Sequence, residues 1–188
     1  EGAIESDALS EVSGVWQLRG PTAVPSGLVA LLDDRLDRAG PQVVDALKVL
    51  SLYEPIDIDL LIGLVGEEPV DEAETIGLIK TTRDGNTTNV RFAHPLYGDV
   101  VRRRISTVAA RRLRAELVDA LRDHATDTAA ERIRLAQLSV DAHRDVDVAL
   151  LIAAAKDAIF LANLPLGERL ARVAFEHDGS LTAGELLS

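Results

Sequence analysis

Most side chains of this 188-residue chain read as packing or solvation, but the stretch "VRFAHPLYGDVVRRRIS", residues 90 to 106, carries more specific chemistry. A β-branched and aromatic run stops at His94, Pro95 follows, and an amphipathic segment comes next. A residue before proline is pushed out of the helical region, whereas proline itself suits the first position of a helix. His94 is therefore expected at the end of a strand, in the N-cap neighbourhood of the next helix. The first amides of a helix lack intrahelical partners and its dipole is positive there, so anions are favoured. A neutral imidazole at that place could donate one hydrogen bond to a phosphate oxygen. It could equally cap the helix or pack under the strand, and both readings stand at this point.

The second concentration of chemistry is basic. Residues 102 to 114 hold Arg102, Arg103, Arg104, Arg111, Arg112 and Arg114 and no acid, in a chain whose net charge is −11. These arginines either form a solvated face that balances neighbouring acids or a docking surface for an acidic partner domain or a nucleotide held nearby. Catalysis finds no such support. The sequence has no phosphate-binding P-loop, no G-x-G-x-x-G and no H-E-x-x-H. His94, His124, His143 and His177 lie far apart without metal-ligand spacing, and the absence of cysteine excludes thiolates and disulfides. No catalytic residue and no metal ligand is assigned, and the many carboxylates read as solvated helix faces.

The elements that must position these residues are mainly helical. With 47% hydrophobic but only 3% aromatic residues, the core has to be aliphatic. "PSGLVALLDDRLDRAGP" predicts a helix capped by Ser26, with Leu28, Leu31, Leu32 and Leu36 on one face and Gly40-Pro41 at its end. Pro41 opens a second helix with Val43, Val44, Leu47 and Leu50 as its stripe. A third runs through Leu60, Leu61 and Leu64 to Gly66, and a fourth follows Pro69 through Val70, Ala73, Ile76 and Gly77. The period then alternates: "LIKTTRDGNTTNVRFA" predicts a hairpin turning at Asp84-Gly85-Asn86, with Val90 and Phe92 on one side and Asn89 and Arg91 on the other. Val15 to Leu18 is expected as a short strand. Beyond residue 95, helical stripes follow at Leu113/Leu117/Leu121, Ile133/Ala136/Val140, Leu151/Ala154/Ala155/Ala158/Ala162 and Leu166/Leu170/Val173/Ala174.

The expected fold class is mainly α, a winged-helix unit with a small β-hairpin followed by antiparallel helical pairs that start a solenoid. Residues 1–24 are expected to be a linker or the tail of an upstream domain, 25–105 the winged helix and 106–188 a helical, tetratricopeptide-like region. The chain lacks methionine even at position 1, which predicts a piece of something longer, with more repeats beyond it. No apolar run approaches the roughly 20 residues of a membrane span and no signal-peptide pattern opens the chain, so a cytoplasmic setting away from membranes is expected.

A winged helix invites a DNA-binding reading. Its third helix, within "VDEAETIGLIK", carries Asp71, Glu72 and Glu74 where phosphates and base edges would lie, and the wing offers only Lys80, Arg83 and Arg91. Phosphate contacts need Lys or Arg, so direct nucleic-acid binding by this chain is not expected.

"IGLI", a short hairpin, "VRFAHPLYGDVV", the basic segment "RRRISTVAARRLRAELVDAL" and Ala-rich helical pairs together resemble the middle of large LuxR-type transcriptional regulators. These belong to the STAND class of signal-transduction ATPases, and the similarity covers roughly residues 25 to 175. The resemblance implies an upstream nucleotide-binding domain, a winged helix, a tetratricopeptide-like sensor for an inducer and a terminal DNA-binding domain. It also implies that His94 touches the phosphates of ADP and holds the resting state closed. This chain lacks the phosphate-binding loop and the terminal domain, so ATP or ADP and promoter DNA would be ligands of the parent protein, with no cofactor in this piece. The expected role is a non-catalytic relay. Its partners would be the upstream nucleotide-binding domain and the downstream helical repeats of the same chain. An autonomous DNA-binding winged helix and a peptide-binding helical scaffold are the alternatives.

Overall fold

Gly40 and Pro41 separate the first two helices as the sequence predicts, and the second of them becomes the hub of the first half of the chain. The computed structural model describes residues 9–12, 15–18, 26–85, 87–122, 128–143 and 147–178; the expectations for Asn86 and His124 lie outside the described residues. Strand β1 (Leu9–Val12) pairs antiparallel with β2 (Val15–Leu18), so the expected strand at 15–18 is one arm of a hairpin. Helix α1 (Ser26–Arg38) includes Ser26 as its first residue, so Ser26 does not stand before the helix as its cap. Leu36 is buried and Leu32 partly so, but Leu31 is 68% exposed: the inner face runs through Val29, Leu32 and Leu36. Leu28 carries no described side chain.

Helix α2 (Pro41–Leu52) buries Val43, Ala46, Leu47, Val49 and Leu50. After it come β3 (Ile56–Asp57), α3 (Ile58–Val65) and α4 (Glu67–Thr75), with the chain turning sharply between the two helices at Gly66. Asp57 caps α3, its carboxylate accepting from the amides of Asp59 and Leu60 at 2.9 and 3.3 Å. The fourth helix begins two residues before Pro69 and ends at Thr75, so Ile76 and Gly77 form a turn rather than continuing it.

Strands β4 (Ile79–Asp84) and β5 (Thr87–Phe92) make the expected hairpin around Gly85. Val90 and Phe92 face the core, and Arg91 faces out. The sheet order is β3-β5-β4, antiparallel throughout, with Ile56 opposite Val90 and Ile79 opposite Phe92. Helix, strand, two helices and a hairpin whose second strand lies centrally is the winged-helix topology. The two-residue strand β3 is too short for any periodicity to reveal.

Helix α5 (Pro95–Arg104) packs on α2 and β5, and Ile105 and Ser106 break the chain before α6 (Thr107–Leu121). Three further helices, α7 (Ala129–Ala142), α8 (Val148–Phe160) and α9 (Leu164–Asp178), each lie against their neighbours. Successive helices pack on one another, α6 on α7, α7 on α8 and α8 on α9. The first core does not stop at residue 105. Leu113, Leu117 and Leu121 of α6 and Leu135 and Leu138 of α7 join the cluster that holds Leu47, Ile56 and Val90. The other face of α7, centred on Ala136, joins a second cluster with Leu151, Ala154, Ala155, Leu170 and Ala174. Ala162, expected in that stripe, is exposed in a left-handed turn past the end of α8. Among the described residues no helix is long and apolar enough to cross a membrane.

Small residues let α8 and α9 approach closely. A Cβ on Gly167 would lie 2.6 Å from Ile159 Cγ1 and 3.3 Å from the Ala155 carbonyl oxygen. Gly167→Ala gains about 1 kcal/mol of helix propensity, but overpacking costs about 1–3 kcal/mol. The expected result is a lower urea midpoint; an unchanged or higher one contradicts this packing.

Candidate functional site

His94 sits where the sequence puts it. It is extended (φ −139°, ψ 137°), follows β5, and is the N-cap of α5 with Pro95 in the first turn. Its Nδ1 accepts a hydrogen bond from the Leu96 amide at 3.2 Å. An acceptor nitrogen carries no proton, so in the neutral ring the proton is on Nε2. The side chain is exposed and Nε2 has no hydrogen-bond partner among the described residues. Capping and anion contact therefore use different nitrogens of one ring, and the two sequence readings do not exclude each other.

The ground beside this junction is basic. Lys80 and Arg91 face each other across the wing in register, and with Arg102, Glu54, Asp99 and Pro95 they line a cleft of about 370 Å³. The carboxylates in that wall are already engaged. Glu54 accepts from the Phe92 amide at 2.9 Å, and Asp99 pairs with Arg102 at 2.6 Å.

Helix α4, in the position of a recognition helix, is acidic along its exposed side. Glu67 and Glu68 are exposed there besides Asp71, Glu72 and Glu74, and the helix has no Lys or Arg. Glu74 also holds the wing, accepting from the Thr81 hydroxyl at 2.7 Å. Arg83 projects from the exposed side of β4.

The six arginines do not form one surface, because the break at Ile105 and Ser106 sends them in different directions. Arg104 turns back onto α1, its Nε donating to Asp33 at 2.8 Å and its Nη1 to Asp37 at 2.7 Å. Burial opposes its charge, yet the hydrogen bonds to Asp37 and Asp33 win and raise its pKa. Arg102 donates to the Ser51 carbonyl at 3.1 Å, at the end of α2. Arg112, 3.8 Å from Glu116, lines a cleft of about 570 Å³ between α2, the α3–α4 turn and α6. Arg103 and Arg111 are exposed without partners among the described residues, while Arg114 turns into a separate cleft with Arg102.

Sequence reasoning passed over Arg134. On α7, its guanidinium lies 3.9 Å from the centroid of the Tyr53 ring and donates to the Pro55 carbonyl. Burial lowers the pKa of Arg134 and raises that of Tyr53. Only a charge set between Ile133 and Leu135 hints at it. His143 ends α7 in a left-handed conformation and His177 lies exposed in the last turn of α9. No three His, Cys, Asp or Glu side chains converge as a metal set among the described residues.

The contrast between two neighbouring arginines is testable. Arg104→Ala should cost about 1 kcal/mol, the upper range for a partly exposed ion pair, and should speed amide exchange in α1 about fivefold. Arg103→Ala should change neither. Equal exchange in both variants would mean that α1 is held by Leu36 and its apolar neighbours alone.

No family model matches the chain, and the searches of characterised proteins and of solved structures likewise gave no match.

Proposed function

We propose that this chain is the non-catalytic relay module of a STAND-type, LuxR-family transcriptional regulator, working in the cytoplasm between a nucleotide-binding domain and a helical sensor. The observation that carries the reading is the His94 junction. Its Nδ1 is committed to the Leu96 amide, which leaves an Nε2 donor exposed at a helix N-terminus, next to Pro95, which lines a cleft with Lys80 and Arg91. A diphosphate on the adjoining domain would find there a positive dipole, a neutral donor and two cations. ATP and ADP are ligands of the parent in this reading, as are inducer and promoter DNA.

The continuous core supports the relay. Leu117 and Leu135 share a packed cluster with Leu47 and Val90, so displacement of the winged helix is passed to α6 and α7 by hard contacts rather than through a linker. The rival reading, an autonomous DNA-binding winged helix, has the topology in its favour and the charge of α4 against it.

Two measurements test the proposal. Fluorescence anisotropy with duplex DNA at micromolar protein and moderate salt should show no saturable, salt-dependent binding; such binding would promote the rival. In the full-length regulator, His94→Ser keeps a side-chain cap but removes the imidazole donor. Losing one hydrogen bond to a charged group costs about 1.5–3 kcal/mol, so ADP should be held about tenfold to a hundredfold more weakly. Basal, inducer-independent activity should rise, and the unfolding midpoint of the 188-residue chain should stay put. Unchanged ADP affinity with unchanged basal activity would falsify the sensor role and leave His94 a cap.

A further inference from the structure

A second cleft, which shares Glu54 and Arg102 with the cleft beside the His94 junction, opens between the end of α2 and helices α5, α6 and α7. Its volume is about 390 Å³, and Arg102, Arg114, Arg134, Tyr53, Glu54 and Asp141 are among its walls. Three guanidinium groups from three helices thus converge on one concavity in a chain of net charge −11. Like charges brought together repel, so their shared wall needs a counter-charge.

The resident carboxylates do not supply it to all three. Glu54 accepts from the Phe92 amide at 2.9 Å, and Asp141 is drawn to Arg169 of α9 at 2.7 Å. Asp99, outside the cleft, satisfies Arg102. Arg134 is half-buried on the Tyr53 ring, with a carbonyl oxygen rather than a carboxylate as its hydrogen-bond partner. Arg114 has no hydrogen-bond or ion-pair partner among the described residues. Gln137 adds a neutral donor in the same wall. Glu131 and Glu54 act on Arg134 through space, without a hydrogen bond; a half-buried cation gains from an anion bonded to it directly, and guanidinium forks match phosphate oxygens two at a time.

We propose that this cleft binds a small phosphorylated metabolite, its phosphate held between Arg114 and Arg134 with Arg102 at the rim. The volume falls in the range of small-molecule sites. Tyr53 cannot stack on the ligand because Arg134 already covers its ring, so recognition rests on the phosphate. The cleft is walled by α2 and α5 on one side and by α6 and α7 on the other, so its occupant bridges the winged helix and the helical pairs. None of this depends on nucleotide contact at His94.

The test is calorimetric titration of the 188-residue chain with inorganic pyrophosphate, repeated with four variants. Saturable binding by the unaltered chain is expected, weakened at least about tenfold by Arg114→Gln, the loss of one charged hydrogen bond. Arg134→Gln should weaken it as well, but Arg114 is the decisive position because it has no hydrogen bond or ion pair among the described residues to lose. Arg111→Gln, exposed on the same helix outside the cleft, should bind as the unaltered chain does. Absence of saturable binding overturns the proposal, as does equal weakening by Arg111→Gln and Arg114→Gln, which would indicate diffuse attraction. Loss of binding in His94→Ser with Arg114→Gln intact also overturns it, placing the anion at the strand-to-helix junction instead.

Discussion

Everything in the first half of the chain depends on keeping α2 dry. Val43, Ala46, Leu47, Val49 and Leu50 are buried, and at about 100° per residue they spread over nearly half of the helix, wider than a narrow stripe. Full burial of a leucine- or valine-sized side chain is worth about 1.5–3 kcal/mol, so this broad face of α2 cannot be left uncovered cheaply, while Gln42 and Asp45 face solvent. Helices α3 and α4 cover part of it, β5 another, and α5 and α6 the rest. The winged-helix topology alone would leave the side now under α5 and α6 open. That is why the core runs past residue 105 although the backbone breaks there: the break divides two helices, not two cores.

Once an aliphatic core fixes the fold, the charges are free to be distributed by use, and their distribution is uneven. Surface carboxylates gather on α4, where a DNA-reading member of the topology needs cations. The arginines instead turn toward structure. Arg104 joins α5 to α1, Arg102 reaches the last turn of α2, and Arg134 lies flat on Tyr53. Planar, permanently charged guanidinium suits these tasks better than lysine would, because it can stack on a ring and bond a carbonyl or carboxylate at its edge. A window that reads as a single basic patch in one dimension thus resolves into several separate uses.

Much of the fold was legible in the sequence because its signals are local. Pro41, Pro95 and Gly85 mark two helix starts and a turn, and alternation at Val90 and Phe92 marks the wing. The failures share a physical cause, which is that burial is decided by neighbours far along the chain. Leu31 looks like Leu32 in periodicity, but α1 is covered on one side only, and Leu31 falls on the other. Strand β3 has two residues and exists because Val90 and Asn89 are opposite. The stripe Ile133/Ala136/Val140 was legible as one face of α7; its second face, Leu135 and Leu138, serves a different core. His94 was placed correctly because Pro95 constrains it locally, whereas Arg134 was invisible because Tyr53 and Pro55 lie some 80 residues away, about the separation of 79 that its carbonyl contact spans.

The two cores differ in kind, and α7 belongs to both. The first contains Leu, Ile, Val and aromatic side chains; the second is largely Ala136, Ala154, Ala155, Ala171 and Ala174 around Leu151 and Leu170. Alanine contributes little apolar area per residue, so the second core gains its stability from close approach of helices rather than from bulk. Close packing of small residues is sensitive to displacement, since an ångström of separation forfeits much of the dispersion energy. A shift of α7 against α2 is therefore resisted strongly on its leucine side and felt acutely on its alanine side. Polar ties hold the same helix from both directions: Arg134 to Pro55 on one side, and Arg132 to Asp157 at 2.7 Å and Asp141 to Arg169 on the other. This makes α7 the main joint between the two cores, with Leu150 of α8 packed against the first as well, and the physical reason is its membership of two cores of unequal stiffness.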